Sequence, residues 1–519
     1  MFTRPSAGAA RRRARWRDAV AELVAAHYGD GMTDTAARPL PRSAPAAQDV
    51  EAAGVLALLD ALEAADGIEM HSLMVLRHGT VVAEGWWSPY TRERPQLLYS
   101  LSKSFTSTAA GFAVAEGLLD LDDTVLSHFP ELDADVTDPR SRSMLVRHVA
   151  SMASGHDAET WDRAVAAAPA EPVRGFLMLP PENDPGTVFA YNQPCTYSLA
   201  AIIQRRSGTT LTDYLRPRLF DPLGIGEVGW QQHPVGRDLG FTGLHATTED
   251  VARLGQLYLQ SGWWEGARLL SEDWVREATR SHVSNAGGTD PDWSQGYGFQ
   301  FWRSRHGYRG DGAYGQFCLV LPEQDTVVVT TAATEDMQGI LDAVWEHLLP
   351  ALSPAGVRAR TAPADEAALV RRLAGLRLAM PRLEPQPGSP GDWAGTTFTP
   401  AGTAVAAQPT LAAVTVEQDG PGWRLVLDDA GERHVVPLGS GRWVVTERPT
   451  VGGGDPLPVA AVGGWADPVS LHAELVLLET PHRLHVEAHL PSATFEARWM
   501  TAPLHGGPLS GLRSPRPAG

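Results

Sequence analysis

At about residue 386 the spacing of apolar residues in this chain changes, and that change constrains the fold more than any other feature. Upstream, apolar residues at helical spacing alternate with strand-like runs. Downstream only short alternating segments occur: "LAAVTVEQDGPGWRLVLDD", "RHVVPL", "GRWVVTE", "HAELVLLETPHRLHVEAHL" and "ATFEARW", separated by turns containing Gly and Pro. A period of two sends successive side chains to opposite faces of a strand, whereas a helix needs a period near 3.6. Residues 386–519 are therefore expected to form a small antiparallel β domain, a barrel or a sandwich, behind a larger α+β domain.

The upstream part divides further. Residues 1–50 read as a tail, with the basic run "RRRARWR" at Arg11 to Arg17 opening an amphipathic helix and "ARPLPRSAPAAQ" forming a linker; Met32 offers a second start. Acids within "DAVAELVAAHYGDG" argue against a secretory leader. Residues 51–355 read as the α+β domain. Its sheet begins with "HSLMVLRHGTVVAEGWW", a hairpin turning at His78-Gly79, and resumes with "GYGFQFW" and "FCLVLPEQDTVVVTT". "DMQGILDAVWEHLLPAL" is a closing helix, and residues 356–385 are a charged linker with a short helix. The expected layout is an antiparallel sheet flanked by helices, a helical subdomain opposite, and a site in the cleft between them.

A formal charge of -18 argues against nucleic acid or an anionic membrane surface as partner, since either requires a concentrated basic face, and "RRRARWR" is the one local exception. No apolar run approaches the ~18 residues of a membrane span. Two cysteines, Cys195 and Cys318, are too few for a disulfide framework and read as small buried residues. A cytoplasmic protein without a cofactor is expected.

Of the 43 Lys+Arg residues only one, Lys103, is lysine. Where arginine serves everywhere else, a retained lysine marks a position at which the two cations differ. Arginine stays protonated, but a desolvated lysine can lose its proton and act as a base. Around it, Phe105, Ala109, Phe112, Ala113 and Leu119 recur at helical spacing from Ser100 onward, and Gly117 with "LDLDD" closes the element. Residues i and i+3 share a helix face, so Ser100 and Lys103 meet, while Ser102 is rotated roughly 100° away. Ser107, one turn in, is placed to bond its own backbone. Ser100 at the helix start is thus the candidate nucleophile, next to free N–H groups and the positive end of the dipole.

"LLYSLSKSFTSTAAGFAVAEGLLDLDDTV" resembles the nucleophile segment of the serine β-lactamase and penicillin-binding-protein superfamily, in its class C-like and esterase branch. The resemblance continues through "VRHVASMASGHD", "PGTVFAYNQPCTYSLAAIIQRRSG", "FDPLGI", "GLHATTEDVARLGQLYLQSG" and "DGAYGQFCLVLPEQDTVVV", about residues 68 to 350. It implies the β-lactamase/transpeptidase-like fold and places the family's Y-x-N element on Tyr191, Asn192 and Gln193, with glutamine where asparagine is usual. Tyr191 becomes the phenol that shares protons with Lys103 and Ser100, and a cationic lysine beside it favours phenolate. Asn192 and Gln193 become candidate substrate contacts.

The family's K-T-G strand element falls on "GDG" at Gly310 to Gly312, so the lysine and threonine that hold a β-lactam carboxylate are missing. The backbone N–H groups of Ser100 and Ala313 would still form an oxyanion hole, with Gly312 and Tyr314 lining the substrate's approach. Downstream, the β domain loosely resembles the lipocalin-like module of related hydrolases; it either caps the cleft or mediates homodimer formation.

Rival constellations are weaker. His156 in "SGHD" and His245 in "GLHATTED" lack a G-x-S-x-G elbow. His485, Glu487 and His489 share a strand face in "HVEAH", but the outer two stand about four residues of ~3.3 Å apart and no fourth ligand is evident, so a solvated strand face is expected. The whole reads as a serine hydrolase of a small ester, amide or peptide-like substrate. The alternatives are an acyltransferase or peptide cyclase using the same acyl-enzyme, and a non-catalytic penicillin-recognition module.

Overall fold

A computed structural model of the chain describes residues 39–287, 290–352, 362–386, 389–401, 408–446 and 456–516. The expected basic helix and most of the tail lie outside the described residues. Residues 39–50 do not trail free: the Leu40 N–H donates to Glu249 Oε1 at 2.7 Å, and Arg42 forms ion pairs with Glu84 and Glu249. Among the described residues no helix is long and apolar enough to cross a membrane.

The sheet of the first domain has six strands. β1 (Glu69–Arg77) and β2 (Thr80–Trp86) form the expected hairpin, turning through His78 at φ 50° and Gly79 at φ 70°. Two consecutive left-handed residues give a turn whose twist matches that of the strands. β3 (Trp302–Arg303), β4 (Tyr308–Gly312), β5 (Gln316–Leu321) and β6 (Thr326–Ala333) complete the order β3-β4-β5-β6-β1-β2, all antiparallel. Little of "GYGFQFW" enters the sheet. Gln300 sits at φ 65° with its amide donating to Ala150 O at 2.7 Å, which ends the extended backbone before Trp302.

Strands buried on both faces explain the nearly continuous apolar runs of β5 and β6. On one face α1 (Ala52–Ala64) and α4 (Met337–Ala343, continued to Leu348) pack Leu58, Leu59, Leu62, Leu341 and Val344 against Leu73, Val75 and Val328. Each such side chain stabilises the fold by roughly 1.5–3 kcal/mol through burial. The opposite face carries α2 (Ser102–Ala115), α3 (Gln193–Ser207) and the helical subdomain. Being sunk in the core, α2 satisfies its own polar residues: Ser104 Oγ donates to Gln300 O at 3.1 Å and Thr106 Oγ1 to Gly240 O at 2.8 Å. Thr108, rather than Ser107, bonds back to the helix, through Ser104 O at 2.8 Å. The linker helix α5 (Pro363–Ala374) is docked through Leu373 and Leu376 over Gly85, where a Cβ would fall 2.5 Å from Leu376.

The second domain is a barrel and not a sandwich. β7 (Thr396–Pro400), β8 (Leu411–Asp419), β9 (Gly422–Asp429), β10 (Glu432–Leu438), β11 (Val444–Thr446), β12 (Val459–Asp467), β13 (Ser470–Leu477), β14 (Arg483–His489) and β15 (Thr494–Trp499) form one nine-stranded sheet. Its order is β10-β9-β8-β7-β15-β14-β13-β12-β11, and the Gly463 N–H donating to Gly439 O at 3.0 Å nearly closes it. Trp393, Trp423 and Trp465 fill the interior with Leu425, Leu475 and Val486. One departure from the expected antiparallel domain is the β7–β15 pair, which is parallel.

The barrel shares a core with the first domain. Ala460, Val476 and Leu478 join the α1/α4 cluster, and Arg483 bonds Glu69 at 2.7 Å. Its β13–β14 turn reaches the segment before α2, where the Leu97 N–H donates to Glu479 O at 2.8 Å.

Candidate active site

A short 3-10 turn, Tyr99–Leu101, feeds into α2, so the chain tightens just before the helix and presents Ser100 at its mouth. Ser100 is half-buried and Lys103, one turn on, is only 1% exposed. Lys103 Nζ lies 2.9 Å from Ser100 Oγ and donates to the Phe241 carbonyl at 2.8 Å. Burial lowers its pKa from the ordinary 10.5 to about 7, with Glu159, Asp311 and Cys195 pulling weakly the other way. An ammonium deprived of water loses more hydration than one carbonyl restores. The neutral amine can then accept the Ser100 proton.

Tyr191 projects from just before α3, its ring 4.8 Å from Lys103 Nζ and stacked on Trp302 with centroids 5.4 Å apart. Burial pushes its phenol up, while hydrogen bonds with Ser100 and Trp302 oppose the rise. Burial thus works against the expected phenolate and favours the protonated phenol.

β4 runs beside the 3-10 turn. A Cβ on Gly312 would fall 2.1 Å from Leu98 O and 3.1 Å from Leu101 N, so the glycine is needed for contact with the nucleophile segment. That contact brings the end of β4 against the residues on either side of Ser100. Where the family keeps its lysine stands Gly310, whose missing Cβ faces Ser104 Oγ at 2.8 Å. Asp311 is tied to the buried Arg309 Nε at 2.8 Å.

Two expected substrate contacts also bond within the fold, though Asn192 Nδ2 has no hydrogen-bond partner among the described residues. Tyr314, at φ 68°, donates its hydroxyl to Ala502 O at 2.6 Å and packs edge-on to Tyr99. Asn192 is fully buried, its Oδ1 accepting from the Thr160 N–H at 2.9 Å and Thr160 Oγ1 at 3.0 Å. Gln193, at the start of α3, has an Oε1 without a hydrogen-bond partner, and its N–H donates to Glu159 Oε2 at 2.9 Å. His156 contacts Ser154 Oγ and Leu179 O, His245 contacts Gly243 O, and neither ring bonds Ser100. Cys195 and Cys318 are free and buried.

Sequence reasoning missed Phe241, Trp302 and the barrel's His482. Phe241 acts through its carbonyl and His482 through a contact between domains, and neither leaves a local pattern. Trp302 was visible only as an aromatic in "GYGFQFW".

A model of the family described as Beta-lactamase matches residues 55–349. Among curated relatives, the 6-aminohexanoate-dimer hydrolase of Paenarthrobacter ureafaciens is 26% identical over 287 residues, 51% of this chain and 73% of that protein. The lovastatin esterase of Penicillium rubens is 28% identical over 188 residues, 32% of this chain and 46% of that protein. Penicillin-binding protein 4 of Amycolatopsis lactamdurans is 26% identical over 334 residues, 56% of this chain and 84% of that protein.

Proposed function

This chain belongs to the β-lactamase family and is a hydrolase of the serine β-lactamase and penicillin-binding-protein superfamily, and from that premise we propose that it cleaves a small ester or amide through an acyl-enzyme on Ser100. The observation that carries the reading is the 2.9 Å separation of Lys103 Nζ from Ser100 Oγ, made by an amine that burial brings to titrate near neutrality.

Neutral Lys103 takes the Ser100 proton as Oγ attacks the substrate carbonyl. The oxyanion so formed faces the Ser100 and Ala313 N–H groups, a pair of donors of which each contributes ~10²–10³ in rate. Tyr191 gives its proton to the departing alcohol or amine and regains one from the Lys103 ammonium. Water then attacks the acyl carbonyl, its proton passes to the Lys103–Tyr191 pair, and Ser100 leaves as the hydroxyl. Gln193, with its free Oε1 at the start of α3, is the substrate-contacting amide. Asn192 holds the loop at Thr160 through Oδ1 and keeps an unpartnered Nδ2.

Labelling with a fluorophosphonate tests the nucleophile. The wild-type chain is expected to take up one equivalent and Ser100→Ala none. Equal labelling of the two would remove Ser100 from the mechanism.

A further inference from the structure

The outer face of the barrel carries a cluster that acyl transfer does not use. In the β13–β14 ladder His472 stands opposite Glu487, and Glu474 opposite His485. Alternate residues share a face, and the intervening Leu471, Ala473, Leu484 and Val486 fill the barrel interior. His472, Glu474, His485 and Glu487 are therefore gathered on the outside as a two-by-two patch.

His485 is 6% exposed, and its Nδ1 lies 2.8 Å from Glu474 Oε1. The other Glu474 oxygen accepts from Arg483 Nε at 3.0 Å, which keeps the carboxylate in place as the acceptor of the Nδ1 proton. That tautomer leaves Nε2 with a lone pair, and Nε2 is buried without a hydrogen-bond partner. A carboxylate holding one imidazole nitrogen while the other points at an open position is the arrangement that orients histidine toward a metal. Across the ladder His472 Nε2 is 3.6 Å from Glu487 Oε1, and one ligand atom from each of His472, His485 and Glu487 falls within 4.8 Å of the others.

We propose that His472, His485 and Glu487 bind a divalent transition-metal ion of the zinc, cobalt or nickel class, with Glu474 orienting His485. Two imidazoles and one carboxylate suit these ions, and water fills the remaining position. Ligand atoms around tetrahedral zinc stand ~3.4 Å apart, given bonds near 2.1 Å. The Glu487 side chain, 44% exposed, is free to swing inward and close the difference. His489, which the strand pattern grouped with His485 and Glu487, falls outside the group whose ligand atoms lie within 4.8 Å of one another, and its Nδ1 lies 2.9 Å from Ser492 Oγ. The cross-strand His472 takes its place. The face expected to be solvated is in fact nearly closed at His485.

The full chain, stripped with a chelator, is titrated with Zn²⁺ by calorimetry and with Co²⁺ by visible absorption. One ion per chain at micromolar or tighter Kd is expected, with the intense cobalt bands of a four-coordinate site. His472→Ala, Glu487→Gln and His485→Ala should each weaken binding at least tenfold, and His489→Ala should leave it unchanged. His472 and Glu487 are partly exposed, so their variants fold even if His485→Ala does not. Absence of saturable binding, or affinity retained in His472→Ala and Glu487→Gln, overturns the site. Fluorophosphonate labelling is independent of it.

Discussion

Tyr99 Oη lies 2.6 Å from His482 Nε2, which joins the residue before Ser100 to the barrel. The His482 ring meets Thr501 O through Nδ1 at 2.9 Å, and burial lowers its pKa to about 4, so the ring is neutral with its proton on Nδ1. Tyr99 is then the donor. Next to Ala313, the other proposed oxyanion donor, Tyr314 donates to Ala502 O, also in the barrel's chain. Both tyrosines adopt positive φ, 48° and 68°, a conformation that non-glycine residues hold only when their surroundings impose it. The barrel thus grips the residues flanking both proposed oxyanion donors.

Tyr99→Phe and His482→Ala should therefore slow fluorophosphonate labelling of Ser100 about tenfold, consistent with loosened oxyanion donors. KM for a p-nitrophenyl ester should move less than twofold. An unchanged labelling rate would mean that the contact is only structural.

Lys103→Arg is expected to be nearly as inactive as Lys103→Ala, each at least ~10³-fold below wild type, because guanidinium does not give up its proton. In the wild-type chain kcat/KM should rise with pH through about 7, as the amine loses its proton, and level off above. An active arginine variant, or a profile flat from pH 5 to 9, would remove the base role.

Stability carries the same titration. The folded chain releases the Lys103 proton near 7 and the unfolded chain near 10.5, so the unfolded state binds more protons between those values. Stability from this group rises with pH across that window and is lowest below it, a cost of about 5 kcal/mol at acid pH. Lys103→Met should raise the melting temperature at pH 6, with the advantage shrinking toward pH 10. Thermal unfolding at a series of pH values reads this directly.

Gly310 falls where the resemblance places the family's lysine, and the neighbouring Asp311 is paired with Arg309, so no cation is offered there. The chain should turn over p-nitrophenyl acetate and hydrolyse nitrocefin at least 100-fold less efficiently. Efficient nitrocefin cleavage would show that the β-lactam carboxylate is held by other groups.

Gly312→Ala should reduce kcat at least 100-fold, because the new methyl meets the Leu98 carbonyl, backbone that cannot turn aside. Steady-state kinetics on soluble, folded variant would decide it.

The α+β domain, the hairpin at His78-Gly79 and the pairing of Ser100 with Lys103 could be read from the chain because each rests on local periodicity. β12 could not, since Gly463 and Gly464 interrupt its alternation. A Cβ on Gly464 would lie 2.4 Å from Glu384 O, so the interruption serves a close backbone approach. Tyr314 and Asn192 were given to the substrate on their neighbourhood in sequence. The Tyr314 hydroxyl and Asn192 Oδ1 also bond Ala502 and Thr160, partners that only the folded chain supplies. The upward push on the Tyr191 phenol comes from burial, which no motif encodes.

Tyr99 and His482 are 383 positions apart. At ~5–20 residues per second a ribosome needs roughly 20–80 s to cover that distance. The nucleophile helix therefore emerges long before the histidine that secures its threshold, and the latch cannot engage until those 383 further positions have been made.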